Sequence, residues 1–190
     1  MKVGLDIDGV LADFISPFLR FMGEYTGHGP IDPESVADLS FANHPFLTDQ
    51  IVAECIMRVS NDPRFWQQLA PLANAEQWKL LDDLSRQERL VFVTHRYERE
   101  SYSIHEVTCD WLRQHGIGRP TVYFTQTYKS ELIGKLGVEL FVDDRHENCS
   151  EVAENTGAVV LMPHRPYNRS FHHPRVQRIQ DLAELFDYLD

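Results

Sequence analysis

The chain is short of cations and of cysteine, and it has no long apolar run. Eighteen Lys and Arg stand against 29 Asp and Glu over 190 residues, a formal net charge of −11. Broad binding to a nucleic-acid backbone needs clustered basic side chains, so no polymeric nucleic acid is expected as a partner. A small phosphorylated substrate stays open, because a few local cations or a metal reverse the sign inside one cleft. The three cysteines, Cys55, Cys109 and Cys149, are odd in number, scattered and without metal-ligand spacing. No disulfide framework follows. Each falls in a segment of helical texture, where a small buried thiol is its expected role. No apolar stretch is long enough to span a bilayer. The N-terminal one is broken by Asp6, Asp8 and Asp13, unlike a signal peptide. The expectation is a cytoplasmic protein with no membrane partner, whose oligomeric state the sequence does not disclose.

What is present is core-forming: 43% hydrophobic and 11% aromatic residues, too much for disorder. Residues 2–8 (KVGLDID) read as a buried strand. A helical pattern follows over 12–25, with Pro17 in its first turn. The stretches GHGPIDPES and FANHPFLTDQ are broken by turn residues. TDQIVAECIMRVS reads as a helix capped by Thr48, and NDPRFW as a loop leading into a helical turn. Residues 15–74 thus offer no convincing strand.

From residue 75 the texture changes to alternation. Helical AEQWKLLDDLSRQ precedes the strand RLVFVTH, and a helix over 98–116 precedes the strand TVYFT. KSELIGKLG precedes ELFVDD, HENCSEVAENTG precedes AVVLM, and the run VQRI with a last helix over 181–189 closes the chain. Apolar strands alternating with amphipathic helices mean an α/β fold, a parallel sheet with helices on both faces. The expected division is a Rossmann-like core of residues 1–14 and 75–190, with a small helical cap, 15–74, inserted after the first strand.

In such sheets ligands bind beyond the carboxyl ends of the strands. Strand one ends in Asp6 and Asp8. Two like charges in an apolar run are costly unless something positive accompanies them. The next strand ends in Thr94, His95 and Arg96, another in Asp143, Asp144 and Arg145, and Lys129 opens the helix before it. Singly, each has an ordinary reading as cap, turn or solvated charge. Together they gather carboxylates, a hydroxyl and an ammonium around one crevice. Carboxylates so clustered suit a hard divalent cation, and Mg2+ best.

The set DIDGV, VTHR, Lys129 and FVDD resembles the four motifs of the haloacid dehalogenase superfamily of phosphohydrolases, in order, spacing and strand context. DIDGVLADF, the helical insertion behind it and the ending FVDDR resemble its 5′(3′)-deoxyribonucleotidase branch. The resemblance implies Asp6 as nucleophile and Asp8 as acid/base, a residue that the superfamily's dehalogenases lack. It implies magnesium ligands in the Asp6 carboxylate, the Asp8 backbone carbonyl and Asp143, with Asp144 beside them. Thr94 and Lys129 would hold the phosphoryl group. Where the family pattern has a small polar residue, this chain has His95, a candidate phosphate contact.

A nucleotide also needs an apolar wall for its base. Phe14 is a candidate, with Phe65 opposite it, while Trp66 reads as core. Arg96 and Arg145 stand where they could reach sugar, base or phosphate, though surface salt bridges explain them nearly as well. The His/Arg-rich run 163–175 reads as a solvated loop. The function implied is a magnesium-dependent phosphomonoesterase working through an aspartyl-phosphate, most simply a 5′-nucleotidase acting on ribo- or deoxyribonucleoside monophosphates. The alternatives are the same chemistry on another small phosphate, such as a sugar phosphate, and a non-catalytic phosphate sensor.

Overall fold

A computed structural model describes residues 1–41 and 44–189; residues 42–43 of the turn-rich stretch lie outside it. Six parallel strands form one sheet: β1 (Val3–Leu5), β4 (Leu90–Thr94), β5 (Val122–Phe124), β6 (Leu140–Val142), β7 (Val159–Pro163) and β8 (Val176–Ile179). Their order across the sheet is β5-β4-β1-β6-β7-β8. Val3 lies beside Leu90 on one neighbour and Leu140 on the other. The chain therefore winds outward from β1 in one direction and then returns to wind in the other. The crevice at such a reversal lies above the central strand, and here that strand leads directly into Asp6.

Alternate strand residues feed two cores, as the period of two requires. Leu90 and Phe92, Leu140 and Val142 face helices α4 (Ala75–Arg86) and α5 (Ile104–Gln114) through Trp78, Leu81, Trp111 and Leu112. Val91, Val93 and Phe141 face α6 (Lys129–Leu136) and α7 (His146–Asn155) through Ile133, Cys149 and Val152. On β1 the residue facing α6 is Gly4. A Cβ there would sit 3.1 Å from Val138 Cγ1 and 3.2 Å from Ile133 Cδ1, so glycine is what lets α6 approach the central strand. All three cysteines are buried free thiols in helices.

Between β1 and α4 the chain builds α1 (Ile15–Tyr25), α2 (Asp49–Ser60) and α3 (Pro63–Gln67). Thr48 caps α2 by accepting from Ile51 N. Phe18, Leu19 and Met22 of α1 pack with Cys55 and Val59 of α2 in a third apolar cluster. The segment is not strand-free: β2 (Ala12–Asp13) pairs antiparallel with β3 (Ala70–Pro71), tying the outgoing chain to the returning one. Two-residue strands leave no periodic pattern to read.

Other elements differ from expectation at their ends. β1 stops at Leu5, and beyond Asp6 the chain folds into a tight loop whose Leu11 and Ala12 amides both donate to the Ile7 carbonyl. α5 begins at Ile104, because Ser103 caps it while Arg99 and Tyr102 donate to the Ser60 carbonyl at the end of α2. VQRI is the sixth strand. The last helix, Leu182–Tyr188, is a 3-10 helix with i→i+3 bonds such as Leu189 N to the Phe186 carbonyl. Among the described residues no helix is long and apolar enough to cross a membrane.

Filling the Gly4 gap tests the packing argument. Gly4→Val is expected to destabilise the protein by about 1–3 kcal/mol, the usual cost of overpacking a dense core, measured by urea unfolding.

Candidate active site

Strand ends and helix starts meet above β1. Asp6 is buried there, its backbone amide still donating to the Val142 carbonyl at 2.9 Å. Lys129, the first residue of α6, is 1% exposed rather than solvated. Its ammonium lies 2.9 Å from Asp6 Oδ1 and 2.7 Å from Asp143 Oδ2. The Asp6 contact is one of charge and leaves that oxygen without a hydrogen bond.

The two aspartates ending β6 differ in what they have free. Asp143 Oδ2 accepts from Lys129, its Oδ1 accepts from the Arg145 amide at 2.8 Å, and the Asn148 amide reaches both oxygens. Asp144 accepts from the Tyr167 hydroxyl at Oδ2, while its Oδ1 is buried with no partner. Gly9, at φ +81°, brings the backbone so close that a Cβ would fall 2.1 Å from Asp144 Oδ2. Carboxylate oxygens of Asp6, Asp143 and Asp144 lie within 4.8 Å of one another.

So much negative charge in a dry place holds protons. Burial, opposed by Lys129 and reinforced by Asp143 and Asp8, pushes the Asp6 carboxyl up to about 7. Burial and then Asp143 push Asp144 well above the ordinary carboxylate range. Lys129 is raised by the same aspartates, against its own burial, and stays charged.

Asp8 is part-exposed and held by a buried arginine. Arg96 donates from Nε to Asp8 Oδ2 at 2.9 Å and from Nη2 to Oδ1 at 2.6 Å. Its third contact is Thr108 Oγ1 at 3.0 Å, and its guanidinium lies 4.5 Å from the centroid of the Trp66 ring. Arg96 is no surface salt bridge: it is buried, paired with Asp8 and part of the cleft lining. It fixes the direction of the Asp8 carboxylate.

A cleft of about 500 Å³ opens over these groups. Its lining joins the polar and charged Asp6, Asp8, Thr94, His95, Arg96, Asp144 and Arg145 with the apolar Phe14, Phe18, Leu39, Phe41, Val52 and Ile56. Asp143 and Lys129 sit beneath, not on its surface. Thr94 is buried at the end of β4. The His95 ring lies 3.1 Å from the Thr127 carbonyl, and burial, then Lys129, holds it below the ordinary imidazole value. Such a ring is uncharged at neutral pH. Arg145 is half-exposed and 3.6 Å from Glu147. Phe65 lies behind the wall, edge-on to Phe14 at 5.7 Å, while Trp66 is both core and cleft wall. Sequence reasoning missed Asn148 and Tyr167. Asn148 sits in the first turn of the helix after FVDD, where a site residue is worth seeking; Tyr167 is 23 residues from Asp144 and carries no local signal. The run 163–175 is no solvated loop at its start, since Tyr167 and Asn168 are buried.

A model of the family described as 5′ nucleotidase, deoxy (pyrimidine), cytosolic type C protein matches residues 1–189. Two bacterial proteins provisionally named as nucleotidases match along the whole chain. BH1399 of Halalkalibacterium halodurans is 22% identical over 190 residues, 100% of this chain and 92% of its own. YqfW of Bacillus subtilis is 20% identical over 193 residues, 100% of this chain and 94% of its own. Among solved structures, a HAD-superfamily hydrolase of subfamily IA from Geobacter sulfurreducens superposes with TM-score 0.55 at 15% identity, over 98% of this chain and 97% of that one. Protein Tyrosine Kinase A of Mycobacterium tuberculosis superposes with TM-score 0.61 at 17% identity, over 99% and 97%. Likeness at those identities carries the fold, not the activity.

Two outcomes follow from the electrostatics. In the metal-free folded protein Asp6 keeps a proton up to about pH 7, whereas in the unfolded chain it loses it near 3.9. The folded state then binds more protons, so this group's stabilisation is full below about pH 4 and is lost as pH rises through 7. Asp6→Asn is expected to melt above wild type at pH 8 in chelator, the gap closing toward pH 4. Arg96→Gln, which frees the Asp8 carboxylate to wander, is expected to lower kcat about 10- to 100-fold while leaving KM near wild type; a steady-state comparison on a phosphomonoester that wild type turns over reads the split.

Proposed function

The chain belongs to the family of deoxy 5′-nucleotidases of cytosolic type C, a phosphoric monoester hydrolase on a HAD-superfamily fold, and we propose that it hydrolyses nucleoside 5′-monophosphates, deoxy forms included, by way of an aspartyl-phosphate. The observation that carries this reading is the pair at the end of the central strand. Asp6 sits beside a buried ammonium, and Asp8, two residues on, is held by a guanidinium at the cleft edge.

An Asp6 oxygen attacks phosphorus in line with the ester oxygen. The O–P bond to Asp6 forms as the P–O ester bond breaks, and Asp8 gives its proton to the leaving oxygen. Asp8 then takes a proton from the water whose oxygen attacks phosphorus. The bond to Asp6 breaks, releasing inorganic phosphate and restoring both carboxyls. Thr94 donates to a phosphoryl oxygen, and Lys129 balances charge on Asp6 throughout.

The donor set fits a divalent cation. Asp144 Oδ1 is buried without a partner beside the charge of Asp6, which a hard cation would satisfy. Asp6, the Asp8 carbonyl and Asp144 would hold Mg2+, with Asp143 beneath them occupied by Lys129, Asn148 and the Arg145 amide. When bound, magnesium lowers the repulsion between the anionic nucleophile and the anionic phosphate.

Residues 15–74 act as a cap over this centre. Phe18, Leu39, Phe41, Val52 and Ile56 of this segment, with Phe14 just before it, give the cleft an apolar lining beside its charged groups. A nucleobase suits such a wall, whereas a sugar phosphate would set its hydroxyls against hydrocarbon. A sensor would need no acid/base at Asp8.

The test is phosphate release from a panel of ribo- and deoxyribonucleotides, 3′ and 5′, beside sugar phosphates. Release from 5′-nucleotides is expected, lost in chelator and restored by Mg2+, absent in Asp6→Asn and reduced about 10²- to 10⁴-fold in Asp8→Asn. Turnover surviving Asp6→Asn would sink the nucleophile assignment. Preference for sugar phosphates would keep the chemistry and discard the nucleotide.

A further inference from the structure

The segment between β7 and β8 lies across the carboxyl edge of the sheet and grips the site at three points. Arg165 Nε donates to the Gly9 carbonyl at 2.9 Å, one residue beyond Asp8. The Tyr167 hydroxyl donates to Asp144 Oδ2. Asn168 Nδ2 donates to the Asp144 backbone carbonyl at 2.8 Å and to the Pro163 carbonyl at 2.9 Å. Arg178 in turn clamps this segment, donating to Asn168 Oδ1 at 2.7 Å and to the Asn168 and Phe171 carbonyls at 2.9 Å.

Tyr167 is 4% exposed, and its ring belongs to the apolar cluster of Phe18, Leu19, Met22, Ile31 and Val36. One side chain thus has its ring in the core of the inserted helices and its hydroxyl on a site carboxylate. Asp144 is held at both ends by consecutive residues: its carbonyl by Asn168, its carboxylate by Tyr167. With Oδ2 engaged and Gly9 packed against it, the carboxylate keeps one orientation. Oδ1 is the oxygen that orientation leaves buried and unpartnered.

We propose that Tyr167 is a positioning residue for a divalent cation: its hydroxyl fixes the Asp144 carboxylate so that Oδ1 faces the ion, and its ring ties that carboxylate to the inserted helices. The proposal rests on the reading that Asp144 helps hold the cation. Partners of metal-holding carboxylates commonly contribute about 10- to 100-fold in metal affinity. Tyr167→Phe keeps the ring and removes only the donor, so the Asp144 carboxylate is restrained by the Gly9 packing alone and presents Oδ1 a smaller part of the time.

The experiment is calorimetric titration of Mg2+ alone into chelator-stripped wild type, Tyr167→Phe, Tyr167→Leu and Asp144→Asn, each with a metal-free melt. Wild type is expected to bind saturably, and Asp144→Asn to lose binding. Both Tyr167 variants, or whichever of them folds, are expected to bind at least about tenfold more weakly, with the Phe variant melting close to wild type. A Tyr167→Phe protein that melts lower yet binds Mg2+ as wild type does would reduce Tyr167 to packing and overturn the proposal. Equal binding by wild type and Asp144→Asn, or none by wild type, would instead overturn the reading beneath it.

Discussion

Three aspartates and one lysine share the dry end of β1, and the site is organised around that imbalance. Lys129 is buried between Asp6 and Asp143. Removing one partner from such a buried pair typically costs about 3–5 kcal/mol, because an uncompensated charge remains. One ammonium can neutralise one carboxylate, so the remainder must bind protons or a cation. The raised Asp6 and Asp144 carboxyls are the metal-free answer to that surplus, and a divalent cation is the other. The same constraint reaches into the fold. For the ammonium to arrive, α6 must begin at the sheet's edge and press against β1, and Gly4 is the residue that gives it room.

Strand order explains why the participants are far apart in sequence. β1 lies between β4 and β6, so residues near 6, 94 and 143 become neighbours although the chain spends most of its length between them. Each connection also delivers a helix start or a loop to the same edge. α6 delivers Lys129, the first turn of α7 delivers Asn148, and the segment after β7 delivers Tyr167. The sheet supplies position, and the loops beyond it supply what each carboxylate touches.

The sequence discloses this arrangement unevenly, for physical reasons. Asp6 and Asp8 stand out because charge in an apolar strand needs an explanation, and the alternation from residue 75 onward declares the parallel sheet. Thr94, Lys129, Asp143 and Asp144 follow from looking at strand ends. Arg96 is visible as a residue but not in its role: nothing local says that a guanidinium after a strand will be buried on Trp66 and spent on Asp8. Tyr167 is invisible altogether, since an aromatic in a His/Arg-rich loop looks like any other until tertiary packing brings it to Asp144. The β2–β3 pairing escapes notice because two residues carry no period. Late helix starts such as Ile104 escape because the residues before it make their bonds to α2 instead.

The least local of these features, the Asp8–Arg96–Trp66 stack, bears most directly on how the parts act together. Arg96 touches the core through Thr108 of α5, the acid/base candidate through both nitrogens of its fork, and the inserted segment through the Trp66 face. A bidentate guanidinium restricts a carboxylate in plane as well as distance. Any displacement of α3 relative to the sheet therefore shifts the surface on which Arg96 rests, and with it the aim of Asp8. Tyr167 makes the matching link on the other side of the cleft, from the α1–α2 cluster to Asp144. The inserted helices are thereby tied to two of the site carboxylates, one on each flank of Asp6.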